Sequence, residues 1–512
     1  MIERIDNLKL NIFKDEKELL SLAQKKYKKP IKHLQIIKKS LDARDKNNIF
    51  WVYSVAVSST EINQIDLPRP PIKQNPQVAI IGSGPAGLMC ALRLVDLGFK
   101  PLIFERGKCV EERKKTIDEF IKNGTLNQEC NVQFGEGGAG TYSDGKLNTQ
   151  TKDGLNKDVL KLFAKFGAPQ EILYLNKPHV GSDVLFDVLK NARKYVEDRG
   201  GSFYFNSKFV GFEKRDEKIK TIVVQNVENG QTNAFAVDEI VLAIGHSARD
   251  TFQMLAQNGV AMESKDFAIG VRIEHLQKEI GFAQYGKYYK NLPTADYKLT
   301  SHAHERTVFT FCMCPGGAVI PAASEEGGVV VNGMSNFKRD GENANSALMV
   351  QMKKTDFDGD DLFAGMRFQR KIENLAYESG GRNYCAPVQL YGDFARDKTS
   401  SKFGSVKPTY ARGTTFAPLN EILPTVCTQA LKVAIPDMDK RLKGFANPDA
   451  VLTGVETRFS SPVKILRDAN CQSQNFKNLY PCGEGSGYSG GITSSAADGL
   501  RVAEILYQKY NA

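Results

Sequence analysis

Val78-Ala79-Ile80-Ile81-Gly82-Ser83-Gly84-Pro85-Ala86-Gly87 is the stretch on which the fold of this chain turns. Four apolar residues suited to a buried strand run into G-x-G-x-x-G. A helix is predicted from the apolar positions Ala86, Met89, Leu92 and Leu97, and Gly98 ends it. A second strand over 102–104 then closes on Glu105, 18 residues after Gly87. This is the βαβ fingerprint of dinucleotide binding. Gly82 allows the tight turn, Gly84 lets the backbone approach a pyrophosphate, and Gly87 lets the helix pack close to the sheet. Pro85 sits at the helix start, where no N–H is needed. The helix N-terminus offers free N–H groups and a positive dipole end to phosphates. Glu105 is suited to accept hydrogen bonds from both ribose hydroxyls of an adenosine. Alone, the fingerprint admits either NAD or FAD.

Two further glycine-rich segments separate those cofactors. Residues 133–146 (QFGEGGAGTYSDGK) hold five glycines within 135–145, a costly composition unless the main chain must approach something closely. Gly135, Gly137, Gly138, Ala139, Thr141 and Lys146 are the candidate contacts there. Residues 482–493 (CGEGSGYSGGIT) lead into a helix predicted over 494–509, a second anion site built from N–H groups. In a two-part FAD site the first βαβ holds the ADP half. The C-terminal helix then points its positive end at the flavin pyrimidine, where charge builds on reduction. Gly483, Glu484, Gly490, Gly491 and Ile492 are the candidates here, and FAD is the expected cofactor. Arg106, Phe209 and Val210 join the candidate cofactor contacts. So do Ala243 and Gly245 in 239–245 (EIVLAIG), which resembles the strand-plus-glycine segment of glutathione-reductase-like flavoproteins.

The 512-residue length suits two or three domains. The expected class is α/β: an FAD/NAD(P)-binding Rossmann-like domain, an inserted α+β cap domain and a small N-terminal α/β domain. The expected bounds are 1–75 for the N-terminal domain, 76–265 and 451–512 for the FAD domain, and 266–450 for the cap. Helices are predicted near 15–27, 30–40 and 184–196, and strands over 50–57, 202–205, 209–213, 220–226 and 240–244. Residues 66–76, with four prolines, read as an extended linker. No apolar run suits a membrane span and no signal-peptide core opens the chain, so a cytoplasmic protein is expected. Nine irregularly spaced cysteines argue against a disulfide scaffold, and no metal site is expected.

The net charge is +10, and residues 1–75 carry 15 Lys/Arg against 9 Asp/Glu. Lys25, Lys26, Lys28, Lys29 and Lys32 dominate that excess. A nucleic-acid partner stays open there, second to the reading of a solvated lysine-rich face.

The long motifs carry a family resemblance over most of the chain. They include 131–149 (NVQFGEGGAGTYSDGKLNT), 243–250 (AIGHSARD), 267–275 (FAIGVRIEH) and 311–317 (FCMCPGG). They continue through 339–347 (RDGENANSA), 454–458 (GVETR) and 483–492 (GEGSGYSGGI). On these the chain resembles the bacterial uncharacterised FAD-dependent dehydrogenases. Leu276, where proline is expected, and Ser489, where alanine is usual, depart from the pattern. The resemblance implies bound FAD, a cap inserted in the FAD domain and a small N-terminal α/β domain.

Candidate catalytic residues are His246, Cys312, Cys314, Glu456 and Arg458. The two cysteines read either as a redox pair beside a flavin or as inert core residues. His246 reads as an acid or base, or as a hydrogen-bond partner of the backbone. Glu456 and Arg458 read as binders of a polar substrate or as an ion pair with one another, the second being preferred. No second complete G-x-G-x-x-G βαβ unit and no C-x-x-x-x-C pair is present, so NAD(P)H, a candidate electron donor, must dock without a Rossmann domain of its own. The expected activity is hydride transfer between flavin and a small organic substrate. An FAD-dependent RNA-modifying protein and a non-catalytic flavin-binding sensor are the alternatives.

Overall fold

The computed structural model describes residues 2–60, 69–149, 151 and 153–511. Its N-terminal unit is an antiparallel sheet in which Phe50–Ser58 lies between Glu3–Asn11 and His33–Asp42, with the short helix Glu18–Gln24 packed on it. His33–Asp42 corrects the helix expected near 30–40. Leu34, Ile37 and Leu41 have helical spacing, but a bulge between Ile36 and Lys38 breaks the two-residue alternation of a strand and imitates it. The same segment clips onto the FAD domain, where Lys39 N–H donates to Tyr174 O at 2.8 Å and Asn176 N–H to Lys39 O at 2.9 Å. Lys25, Lys26, Lys28, Lys29 and Lys32 are all exposed.

The expected linker begins at 66–68, outside the described residues. From 69 to 76 it has neither helix nor strand and lies against the FAD domain, with Tyr507 Oη donating to Pro70 O at 2.9 Å.

The FAD domain is a five-stranded parallel sheet in the order Ser202–Tyr204, Leu102–Phe104, Val78–Ile81, Glu239–Leu242, Leu479–Pro481. The central strand, Val78–Ile81, and its neighbour Glu239–Leu242 are buried along their whole length, as a sheet covered on both faces requires. Helices Pro85–Asp96, Ser182–Glu197 and Ile492–Asn511 cover one face. The first and last of these approach so closely that a Cβ on Gly499 would lie 2.0 Å from Ala86 O. An antiparallel meander, Ser207–Arg215, Lys218–Asn226 and Thr232–Ala236, packs on the other face with helix Arg249–Gln257.

The cap is built on a seven-stranded sheet whose long central strand, Phe267–Leu276, pairs antiparallel with Asn343–Met352. Its other neighbour is Val451–Glu456. The return to the FAD domain, expected at 451, therefore comes later. Residues 451–456 are six buried residues, and such a run shows that a strand is interior without showing which sheet holds it.

Candidate functional site

At the C-terminal end of Val78–Ile81 the backbone turns at Gly82, whose φ of +101° suits glycine and whose Cβ, if added, would lie 2.3 Å from Ala243 O. A Cβ on Gly87 would lie 1.9 Å from Gly82 O, so this glycine sets the helix-to-strand approach. Gly84 differs: the nearest atom to an added Cβ is Gly138 Cα at 3.9 Å, and its open side faces a cavity. Helix Pro85–Asp96 begins without a side-chain cap. Its first-turn N–H groups are left for an anionic ligand. This uncapped turn beside an unfilled glycine fits a pyrophosphate.

Glu105 departs from its expected role. Its Oε2 accepts from Ser83 N at 3.0 Å and Ser83 Oγ at 2.9 Å, while Oε1 accepts from Gly107 N at 2.9 Å and Gly135 N at 3.0 Å. Its four acceptor positions are taken by the protein, and the carboxylate ties the fingerprint turn to the second glycine segment. Of these donors only the Ser83 hydroxyl is free to rotate, so it is the one that would give way to a ribose hydroxyl.

Arg113, which sequence reasoning missed, organises the second glycine segment. Wholly buried, it donates to the main-chain carbonyls of Asn131 (3.0 Å), Val132 (2.9 Å), Gly135 (3.3 Å), Glu136 (2.6 Å) and Gly138 (2.9 Å). Its ring partner is Tyr142, 4.9 Å from the guanidinium carbon. Only an arginine on an otherwise amphipathic helix marked it in the sequence. Beside it, burial pushes the Glu136 carboxyl up to about 7, with Arg193 pulling the other way.

These segments wall one cavity of about 830 Å³, in the upper range for a ligand site. Gly82, Gly84, Pro85, Ala86, Glu105 and Arg106 line it from the fingerprint unit. Gly135, Gly138, Ala139, Lys146, Phe209, Ala243 and Gly245 also line it. Glu484, Gly490, Gly491 and Ile492 line it where helix Ile492–Asn511 begins. Gly87, Gly137, Thr141 and Gly483 stand behind this wall, and Val210 lies in a bulge of Ser207–Arg215 away from it. Arg106 is held by Asp250 at 2.9 Å and Thr251 Oγ1 at 2.8 Å, over the ring of Phe134.

The cap closes the cavity with Thr300, Thr307, Phe309, Phe311, Cys312 and Phe459. His246, Glu456 and Arg458 also line it, whereas Cys314 is buried behind Cys312. Glu456 and Arg458 do not pair with each other as expected. Glu456 Oε2 lies 2.5 Å from Arg272 Nε, and Arg458 Nε donates to Glu373 Oε1 at 2.8 Å. Arg272 reaches Glu456 from the neighbouring strand, a relationship that adjacency in sequence cannot reveal. Glu373 also takes both Nη atoms of Arg249 at 2.9 Å, so a buried ionic cluster joins cap to FAD domain. His246 is kept neutral: burial, then Arg458 and Arg249, push its imidazole down to about 3. Its Nδ1 lies 2.8 Å from Ser247 Oγ and its Nε2 lies 3.9 Å from Glu484. Burial pushes the Glu484 carboxyl up to about 8, against the pull of Lys265.

A parallel sheet in the order third, second, first, fourth, fifth strand, with a glycine fingerprint on its first strand and a cap inserted before its last, defines a two-part dinucleotide-binding protein of the flavoprotein type. The description "FAD-dependent protein, C-terminal domain-like" matches residues 266–459, and "Domain of unknown function (DUF8436)" matches residues 1–58. A protein of Clostridium beijerinckii is 46% identical over 538 aligned residues, covering 100% of this chain and 99% of its own. The chain belongs to this family of bacterial FAD-dependent proteins, and its cofactor is FAD. A local stretch of 52 residues is 46% identical to the dual trans-enoyl reductase/FAD-dependent monooxygenase tazHJ of Aspergillus terreus, covering 9% of this chain and 7% of that protein. Among solved structures, E. coli quinol fumarate reductase FrdA is similar at 11% identity over 86% of this chain and 71% of that one, with a TM-score of 0.38. Glycerol-3-phosphate dehydrogenase from Bacillus halodurans is similar at 12% identity over 86% and 66%, also with a TM-score of 0.38. Among the described residues no helix is long and apolar enough to cross a membrane.

Proposed function

We propose that this protein is an FAD-dependent oxidoreductase that passes a hydride between the flavin and a small organic substrate held under the cap. The observation that carries this reading is the single cavity shared by the fingerprint, both glycine segments and the cap strands. FAD, when bound, supplies two-electron chemistry at its flavin ring. The protein's own contribution is positional and electrostatic. The uncapped turn after Gly84 would hold phosphate charge, and the start of Ile492–Asn511 presents a positive dipole end to the same cavity. Phe311 and Phe459, edge to face at 4.4 Å, give the cap side an apolar wall that excludes water and suits a substrate with apolar surface. Glu484 keeps its proton at neutral pH and presents it to the cavity beside the neutral His246. A carboxylic acid there supports the reading as a candidate proton donor beside the flavin chemistry.

Purification followed by anaerobic reduction tests this. The expected protein takes up FAD, absorbs at about 450 nm, and is bleached by NADH, NADPH or one member of a metabolite panel. A colourless protein that gains no such absorbance with added FAD, or a bound flavin that none of these donors reduces, overturns it.

A further inference from the structure

We propose that Cys312 and Cys314 form a thiol–disulfide couple that opens onto the flavin cavity and exchanges an electron pair with the cofactor; this rests on the flavin reading above. Strand Arg306–Cys314 slips in register between Phe311 and Cys314 against Asn343–Met352, so an extra residue is inserted where a regular strand would continue. Cys312 takes a φ of +40° there, a conformation that side-chain-bearing residues rarely adopt and that clusters at functional sites. The bulge presents Cys312 at the cavity wall, together with Glu484 and Gly490–Ile492, and leaves Cys314 buried behind it.

The polar surroundings of the two sulfurs are those of a working couple. Cys314 Sγ donates to Cys312 O at 3.2 Å, so the second sulfur folds back over the first residue. Arg272, wholly buried, donates from Nη1 to Cys312 O at 2.8 Å and reaches Cys314 Sγ at 3.9 Å. Lys146 closes the other side through a hydrogen bond to Met313 O. The Cys314 thiol hydrogen bond, with Arg272 and Lys146, draws the Cys312 thiol below its usual range against burial and Asp144, while burial pushes Cys314 up. A cavity-facing thiolate backed by a buried thiol is the division of labour that thiol–disulfide exchange uses. Cys90 and Cys427 show the contrast: both are wholly buried, and burial raises their thiols with no cation to counter it.

In the step, Cys312 thiolate and Cys314 thiol join in one S–S bond and give up two electrons and one proton. Oxidised flavin takes both electrons and that proton, and the reverse reaction cleaves the bond. Neither direction requires a further reactant.

Trypsin releases residues 307–338, a peptide whose cysteines are Cys312 and Cys314 alone. Full-length holoprotein poised anaerobically in mixtures of reduced and oxidised dithiothreitol, acid-quenched and alkylated with N-ethylmaleimide, should yield this peptide with two labels at the reducing end. At the oxidising end it should carry none and be lighter by two hydrogens than the unlabelled dithiol. Two labels at every poise overturn the couple. Dithionite titration supplies the second readout: the wild type should take up two electrons more per bound flavin than Cys312→Ser, and equal uptake overturns the exchange with flavin. The labelling does not depend on colour, so a flavin-free preparation defeats the proposed function while still deciding the couple.

Discussion

Arg113 Nη1 lies 2.6 Å from the main-chain oxygen of Glu136, the shortest of the bonds by which one buried guanidinium holds a whole glycine loop in shape. Arg113→Met keeps the apolar stem but strands those carbonyls. It should cost at least about 3 kcal/mol of stability and release flavin. Lysine, with its donors on a single point, should rescue little. Thermal unfolding and flavin occupancy after gel filtration check both effects, and an unchanged melting temperature would remove Arg113 from this role.

The fingerprint glycines should separate into packing and binding positions. Gly87→Ala drives a methyl to within 1.9 Å of Gly82 O and should unfold the βαβ unit. Gly84→Ala meets nothing closer than 3.9 Å, so the fold should survive. FAD affinity should nonetheless drop about tenfold or more, a loss of about 1.4 kcal/mol. Circular dichroism together with FAD titration of the two variants distinguishes the roles.

His246 makes stability depend on acid. Its imidazole is pushed down to about 3 in the fold, whereas in the unfolded chain it titrates near 6.5. The unfolded state therefore binds the proton first as pH falls. The contribution is fully present above about 6.5 and is lost at up to about 1.4 kcal/mol per pH unit towards 3. Denaturant midpoints between pH 7 and 5 should fall less steeply in His246→Gln than in the wild type; parallel slopes would contradict the assignment.

Cys312 should react with iodoacetamide in the native protein with a half-maximal rate at a pH well below that of an ordinary thiol. Removing one of its two cations in Lys146→Gln should move that midpoint upward. Peptide-level rates against pH measure it, and a midpoint near that of a free thiol in both proteins would defeat the claim.

Much of the nucleotide domain was legible because its rules are local. A turn that only glycine can make, a proline at a helix start and an acid ending the next strand all lie within one βαβ unit, and helix Ser182–Glu197 showed its apolar face directly. What stayed hidden was pairing across long separations. The bulge in His33–Asp42 imitated a helix, and Val451–Glu456 gave no sign of which sheet would claim it. Glu456 found Arg272 rather than Arg458, and Arg113 carried no local mark of the carbonyls it would gather. Glu105 was expected to meet a ribose, and its protein hydrogen-bond partners emerged only when the two glycine segments met.

The order of strands in the FAD sheet also imposes an order in time. Leu479–Pro481 pairs with Glu239–Leu242, and Ile492–Asn511 packs on the fingerprint helix, only after the intervening cap segment has been synthesised. During synthesis the fingerprint turn emerges long before the start of Ile492–Asn511, which lines the same cavity. Cofactor capture is thereby deferred to the closing stage of folding, and a ribosome-bound chain halted within the cap should hold no flavin.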